Sequence, residues 1–252
     1  MSNARTLVVE NDPTDDVRLL GEWLTGAGLE LEVVRPHAGE PLPTGSGPGT
    51  ARLDGYGALV VMGGGIDGAP WYPEVEDMFR VAVRDKVPTL GVCLGAQLMA
   101  RAFGGYVERA KAGPEIGPRL VAKRDAAGND PLFGPLPMLP DVIQWHRDEV
   151  TELPEGAVLL AASPRYPHQA FRYGDRAWAV QFHLECDRDM LAGWAADADD
   201  LGDLGLDEDE LLAGVDEVLP LITEVWRPFA QRFADLALGR LAFRSELPLL
   251  GS

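Results

Sequence analysis

The first hundred residues alternate between short apolar runs rich in β-branched residues and longer segments whose apolar residues recur at helical spacing. The short runs have the length and composition of buried strands, and the longer segments have those of amphipathic helices. Strands that alternate with helices form a mostly parallel sheet with helices on both faces. The predicted strands are residues 6–9, 29–34, 58–62 and 88–92, and the predicted helices are residues 17–24, 73–85 and 94–103.

The pattern changes in the second half of the chain. Between residues 106 and 181, short strand-like runs are separated by Gly, Pro and Asp, which predicts hairpins added to the sheet and makes it mixed. Residues 178–182 form a last predicted strand, which we expect to carry His183 and Glu185. A Gly/Pro-rich stretch over residues 41–49 is predicted to be an exposed loop.

The end of the chain is predicted to be helical, from Asp187 to about Leu238. No linker long enough to separate domains is present. We therefore expect an α/β domain over residues 1–188 and a helical extension over residues 189–252 that packs on the same domain.

Charge and cysteine content exclude several classes of protein. The 252 residues carry a formal net charge of −18, which repels nucleic acid phosphates and anionic membranes. No apolar run is long enough to span a bilayer, and the N-terminus lacks the apolar core of a signal peptide, so we expect a cytoplasmic protein. Two cysteines and four histidines, without Cys-x-x-Cys or His-x-x-x-His spacing, predict neither a disulfide scaffold nor a structural zinc site.

A cysteine stands between a predicted strand and a predicted helix, with a glycine two residues before it and another two residues after it. The run is Gly91-Val92-Cys93-Leu94-Gly95. This spacing is typical of a nucleophile elbow, whose sharp turn has no room for larger neighbours. The positive end of the following helix favours the thiolate. An inert buried cysteine is the alternative, and the two glycines argue against it.

Two further motifs complete a candidate catalytic site. In His183-Leu184-Glu185, residues i and i+2 of a strand share one face, so the carboxylate can orient the imidazole while the other ring nitrogen faces a nucleophile. The glycines at 63–65 follow a strand, and their backbone N–H groups could form an oxyanion hole together with that of Leu94. In α/β-hydrolases the acid precedes the histidine and lies far from it, so the order here argues against that fold.

The order Gly-Gly-Gly, then Gly-Val-Cys-Leu-Gly-Ala-Gln, then Gln-Phe-His-Leu-Glu resembles the class I, or triad, glutamine amidotransferases, in particular stand-alone relatives of the GMP synthase glutaminase domain. The resemblance covers residues 8–185 and implies a flavodoxin-like fold. It implies Cys93 as nucleophile, His183 as base and Glu185 as orienting acid. The family usually has His-Pro-Glu, and Leu184 replaces that proline here.

The resemblance also assigns residues around the triad. Gly64 and Leu94 match the oxyanion-hole positions, and Gln97 matches a glutamine that holds the amino-acid end of the substrate. The sequence from Gln144 to Thr151 resembles the substrate-side loop, and Gly113-Pro114-Glu115-Ile116-Gly117 is typical of this branch. The expected substrate-binding residues are Gly63, Gly65, Gln97, His146 and Asp148.

The resemblance implies hydrolysis of the glutamine side-chain amide through a cysteine thioester, without metal or organic cofactor, to glutamate and ammonia. No phosphate-binding loop or synthetase domain is present, so we expect either a separate synthetase as the ammonia acceptor or no acceptor at all. One alternative is a γ-glutamyl peptide or amine hydrolase with the same triad. Others are a non-catalytic regulatory or binding protein, against which the intact triad argues, and a thiol peptidase or chaperone with a related elbow, which would leave Gln97 without a role.

Two features are given structural interpretations. Cys186 directly follows Glu185 and is predicted to pack in the core. Eight acidic residues lie between 197 and 210, and residues 189–224 contain no Lys or Arg. We interpret this acidic segment as a solvated face or a lid; a docking surface for a basic partner and a calcium site are the alternatives, although the EF-hand pattern is missing.

Overall fold

A computed structural model describes residues 4–43, 50–65 and 68–241. The helices are α1 Arg18–Gly26, α2 Tyr72–Arg84, α3 Leu94–Ala102, α4 Arg188–Asp197 and α5 Glu208–Ala237, with short 3-10 turns at Pro36–Ala38 and Asp125–Asn129. The strands are β1 Arg5–Val9, β2 Glu30–Val34, β3 Ala58–Val61, β4 Thr89–Val92, β5 Tyr106–Arg109, β6 Glu115–Leu120, β7 Ala122–Lys123, β8 Asp141–His146, β9 Asp148–Glu152, β10 Val158–Ala162, β11 Ala170–Tyr173 and β12 Ala177–Val180. Part of the predicted loop at 41–49 lies outside the described residues.

The main sheet has the order β2-β1-β3-β4-β12-β11-β10-β7. The strands from β2 to β12 in this order pair in parallel, and those from β12 to β7 pair antiparallel, which confirms the mixed, mostly parallel sheet. The later strands do not all join this sheet as expected. β5 pairs with β9 and β6 pairs with β8 in two separate two-stranded sheets, and in both pairs the partners are distant in sequence rather than neighbours in a hairpin.

Strand alternation divides the core into two layers. Val8, Val60, Leu90 and Trp178 are in register across neighbouring strands and belong to the cluster that includes the apolar faces of α1, α4 and α5. The residues of opposite parity pack in a second cluster against α2 and α3. Successive side chains of a strand point to opposite faces, so helices cover both sides of the sheet.

The C-terminal region forms two helices rather than one continuous helical stretch. Residues 198–207 separate α4 from α5, and each helix begins at an aspartate whose carboxylate accepts a backbone N–H: Asp187 from Met190 and Asp207 from Glu210. Such capping satisfies donors that lack a partner within the helix. Helix α5 packs against α1, α4, β6 and β8, with Trp226 fully buried. No helix in the described part of the chain is long and apolar enough to cross a membrane.

Candidate active site

The backbone turns sharply at Cys93, between the end of β4 and the start of α3. Its φ of 50° and ψ of −106° are unusual for a residue with a side chain. The flanking glycines are needed for this turn. A Cβ on Gly91 would lie 2.7 Å from the backbone of Gly95, and a Cβ on Gly95 would lie 2.2 Å from the carbonyl oxygen of Val61. The turn therefore places Cys93 at the carboxyl end of the sheet, at the N-terminus of a helix.

His183 and Glu185 lie beyond the last strand, contrary to the expectation that the strand carries them. β12 ends at Val180, and His183 instead bridges to β8, where its N–H donates to the carbonyl of Ile143 at 2.8 Å. The expected pairing of the two side chains is nevertheless present, with His183 Nδ1 2.7 Å from Glu185 Oε1 and both side chains buried. Leu184, between them, is buried in the core.

The second ring nitrogen of His183, Nε2, is buried and has no hydrogen-bond partner among the described residues. Burial lowers the pKa of His183, but the negative charges of Cys93 and Glu185 outweigh it and raise the pKa well above its usual range. The surroundings therefore favour the protonated form of the His183 ring, with the Glu185 carboxylate beside Nδ1.

The triad roles remain a prediction that substitution can test. We expect both Glu185→Gln and His183→Gln to reduce kcat, and we expect the kcat of Glu185→Gln to stay roughly ten to a hundred times higher than that of His183→Gln. The first substitution removes orientation and charge, whereas the second removes the proton-transfer group. Initial rates on one substrate, with circular dichroism to verify folding, would measure both losses. Unchanged kcat in Glu185→Gln would remove the carboxylate from the triad.

The glycine loop after β3 is held by polar residues that follow β1. Asn11 donates from its side-chain amide to the carbonyl of Met62 at 2.9 Å, and Asp12 accepts the Gly65 N–H at 3.2 Å. A Cβ on Gly64 would lie 3.1 Å from Leu94 Cδ2, so the two predicted oxyanion-hole residues lie near one another. The Leu94 N–H has no acceptor within its own helix because it stands in the first turn. The arrangement is compatible with an oxyanion hole, which stays a prediction.

Gln97 is buried on the first turn of α3 and lines the cavity beside Cys93. Its amide nitrogen donates to Gln181 Oε1 at 3.2 Å and to the carbonyl of Asp148 at 3.3 Å. The Gln181 amide in turn lies 3.7 Å from the sulfur of Cys93. Gln181 belongs to the Gln-Phe-His-Leu-Glu motif, which by itself assigns it no role, and its contact with the nucleophile depends on the tertiary fold.

His146 is buried, and both of its ring nitrogens have hydrogen-bond partners. Nδ1 lies 2.9 Å from the carbonyl of Asp148, and Nε2 lies 3.2 Å from Glu115 Oε2. The Asp148 side chain is partly exposed and lies 3.6 Å from Arg109. Both predicted substrate residues line the cavity, and their contact with substrate stays a prediction.

A cavity of about 680 Å³ is lined by Cys93, His183, Gly64, Gly65 and Leu94, among other residues. This volume lies in the usual range of about 300–1,000 Å³ for small-molecule sites. The predicted nucleophile, base and oxyanion-hole residues therefore share one cavity at the carboxyl ends of the parallel strands, where ligands bind in open α/β sheets. Gly63 borders the same region, since a Cβ there would lie 3.2 Å from His183 Cε1.

The first C-terminal helix, α4, contributes Trp194 to this cavity, which sequence patterns did not show. The Trp194 ring on α4 lies 4.6 Å from the His183 ring and 5.6 Å from that of Trp145, measured between centroids. In the acidic segment, Asp200 pairs with Arg147 of the cavity wall at 2.5 Å. No periodic signal in the sequence links residue 194 to residue 183, since only folding brings them together.

A buried carboxyl group, Asp15, also lines the cavity, and no sequence motif pointed to it. Burial raises its pKa to about 7, while the positive charge of His183 acts in the opposite direction.

The second cysteine, Cys186, is fully buried, and burial raises the pKa of its thiol well above the usual value. Across the described residues, no cluster of three or more His, Cys, Asp or Glu side chains could hold a metal ion.

The chain is similar to several known proteins. γ-Glutamyl peptidase 4 of Arabidopsis thaliana is 34% identical over 152 residues, which cover 58% of this chain and 61% of that protein. A subunit of the glutamine-hydrolysing GMP synthase of Methanocaldococcus jannaschii is 34% identical over 121 residues, covering 48% of this chain and 62% of that protein. The chain thus spans less than two thirds of the length of either relative.

A solved structure of a glutamine amidotransferase from Thermotoga maritima matches with a TM-score of 0.79 and 26% identity, covering 92% of this chain and 98% of that one. The family model described as glutamine amidotransferase class-I matches residues 24–189. These matches confirm the resemblance inferred from the sequence motifs. The chain therefore belongs to the class-I glutamine amidotransferase family.

Proposed function

We propose that this protein hydrolyses the γ-glutamyl amide bond of γ-glutamyl peptides or amines, with Cys93 as nucleophile, His183 as acid and base, and Glu185 as the orienting group. The observation that carries the proposal is the contact of 2.7 Å between His183 and Glu185, with the other His183 nitrogen free inside the cavity that contains Cys93.

The reaction would follow two steps. The Cys93 thiolate attacks the γ-carbonyl carbon, and the backbone N–H groups of Gly64 and Leu94 bind the resulting oxyanion. The His183 imidazolium gives its proton to the departing amine as the C–N bond breaks, which leaves a thioester. His183 then takes a proton from water, the hydroxide attacks the thioester, and glutamate leaves as the thiolate re-forms.

The aromatic wall supports a leaving group larger than ammonia. Trp194 packs against His183, the group that protonates the departing amine, and Trp145 packs against Trp194. Ammonia needs no such subsite, whereas an amino acid or amine can pack on aromatic rings and so contribute binding energy. The likeness to a γ-glutamyl peptidase over 152 residues, against 121 residues for the GMP synthase relative, points the same way.

The similarity to the GMP synthase relative supports a second candidate function, which is that of a glutaminase that supplies ammonia to a separate synthetase. This is the function that the sequence motifs favoured. The two candidates share the triad and the γ-glutamyl acyl group, and they differ in the leaving group and in the need for a partner.

We expect the purified chain to hydrolyse a γ-glutamyl dipeptide with a kcat/KM at least about tenfold above that for glutamine, since a filled subsite contributes about 1–3 kcal/mol. Mass spectrometry of released glutamate, with each substrate in the absence of any partner, would measure both values. As a matched test, Trp194→Leu should lower the ratio of the two values by about two- to tenfold, because it removes the aromatic contact.

A higher kcat/KM for glutamine would contradict the peptidase proposal and favour the ammonia-supplying function. So would activity that appears only after a synthetase is added. Either result would leave the triad assignment intact, because both reactions use the same three residues.

A further inference from the structure

The mechanism above leaves one buried carboxyl group of the active-site cavity without a role. Asp15 lies in the loop between β1 and α1, with only 6% of its surface exposed, and it lines the cavity. The family match covers residues 24–189, so no role for Asp15 is carried over from it.

Asp15 and His183 both border the position that a side chain on Gly63 would occupy. A Cβ placed on Gly63 would lie 2.9 Å from Asp15 Oδ2 and 3.2 Å from His183 Cε1. Any side chain at this position would therefore clash with the carboxylate and crowd the imidazole. The missing side chain lets the carboxylate approach the Cε1 edge of the ring, between the nitrogen that faces Glu185 and the nitrogen that is free for Cys93.

The charges around Asp15 indicate which form of His183 it favours. The titratable groups that face Asp15 are His183, Glu185 and Asp12, together with the thiol of Cys186. Trp194, the α4 residue packed here, is uncharged. His183 is the one group in this set that can carry a positive charge. An ionised carboxylate beside it stabilises the imidazolium relative to the neutral ring.

We propose that Asp15 is a positioning residue whose carboxylate stabilises the imidazolium form of His183 from the Cε1 edge, in addition to Glu185 at Nδ1. The carboxylates of Asp15 and Glu185 then both stabilise the His183 imidazolium, so His183 stays protonated beside Cys93 to a higher pH than it would with Glu185 alone. The catalytic consequence rests on the proposed function, whereas the effect on the protonation of His183 does not.

The effect can be read from the imidazole itself. The protein is labelled with ¹³C at histidine Cε1, and the His183 resonance is followed by NMR as the pH is changed. This resonance is assigned by its absence from the spectrum of His183→Gln. Asp15→Asn keeps the size of the side chain and removes its charge. We expect the midpoint of His183 to fall by about one pH unit, a tenfold change in the ratio of imidazolium to imidazole.

Asp16→Asn is the matched control. It removes the same formal charge from the neighbouring residue, whose carboxylate is 46% exposed and pairs with Arg18 outside the cavity. We expect its His183 midpoint to equal that of the wild type. The alkaline limb of kcat/KM should move down by about one pH unit in Asp15→Asn and stay in place in Asp16→Asn.

Equal His183 midpoints in Asp15→Asn and wild type would overturn the proposal. A raised KM with an unmoved alkaline limb would also overturn it, because Asp15 would then contact the substrate rather than act through His183. If Asp15→Asn does not fold, Asp15→Ser supplies the same comparison, and Asp15→Glu should restore the midpoint at least in part. Because the NMR midpoint needs no substrate, failure of the γ-glutamyl hydrolase assignment would leave this test unaffected.

Discussion

Cys93→Ala is expected to reduce hydrolysis of γ-glutamyl substrates by about 10⁴-fold or more while the protein stays folded. The substitution removes the atom that forms the thioester, and no other nucleophile stands at a strand-to-helix elbow in the described part of the chain. Cys93 is buried, and the substitution removes only its sulfur atom, so packing changes little. Alanine has to adopt the same positive φ that Cys93 already adopts. Initial rates of glutamate release and a thermal unfolding curve would measure the two properties on one preparation.

Cys186→Ala is the matched control, and we expect it to retain activity. A glutamine analogue with an electrophilic side chain should label Cys93 and leave Cys186 unmodified, because Cys186 is fully buried and its thiol has a pKa raised well above the usual value. Peptide mapping by mass spectrometry would locate the label. A folded Cys93→Ala protein with normal activity, or a label on Cys186, would contradict the assignment of the nucleophile.

Gly95→Ala is expected to destabilise the protein by about 3 kcal/mol or more, although alanine is the better helix former. The added Cβ would lie 2.2 Å from the carbonyl oxygen of Val61, a backbone atom of the neighbouring strand β3, so α3 would have to move away from the sheet. That movement would also displace Cys93. The free energy of unfolding from urea titration would measure the loss, and kcat would fall with it.

Gly193→Ala is the control for helix propensity. Gly193 lies inside α4, and a Cβ there would meet no atom within 4 Å. We expect this substitution to stabilise the protein by up to about 1 kcal/mol. If Gly95→Ala were as stable as Gly193→Ala, the close approach of α3 to β3 would not be what requires glycine at position 95.

The active-site motifs could be found from the sequence because their geometry is local. The elbow at Cys93 needs small residues two positions away on each side, and the same turn holds them close in space. His183 and Glu185 are two residues apart, so their contact depends little on the rest of the chain. The expectation that they lie on a strand was wrong, but their side chains still meet in the segment that follows β12.

Contacts between segments distant in the chain were decided only by the tertiary structure. Trp194 reaches His183 because α4 folds back over the carboxyl ends of the strands, and Asp15 faces the same ring because β1 lies next to β3 in the sheet. Sequence patterns report periodic burial and local turns, whereas these contacts depend on strand order and helix packing. The sequence by itself determined the parallel α/β core, the nucleophile elbow and the His-x-Glu pair. The fold alone determined the second carboxylate beside His183 and the aromatic wall of the cavity, since long-range packing leaves no local signature in the chain.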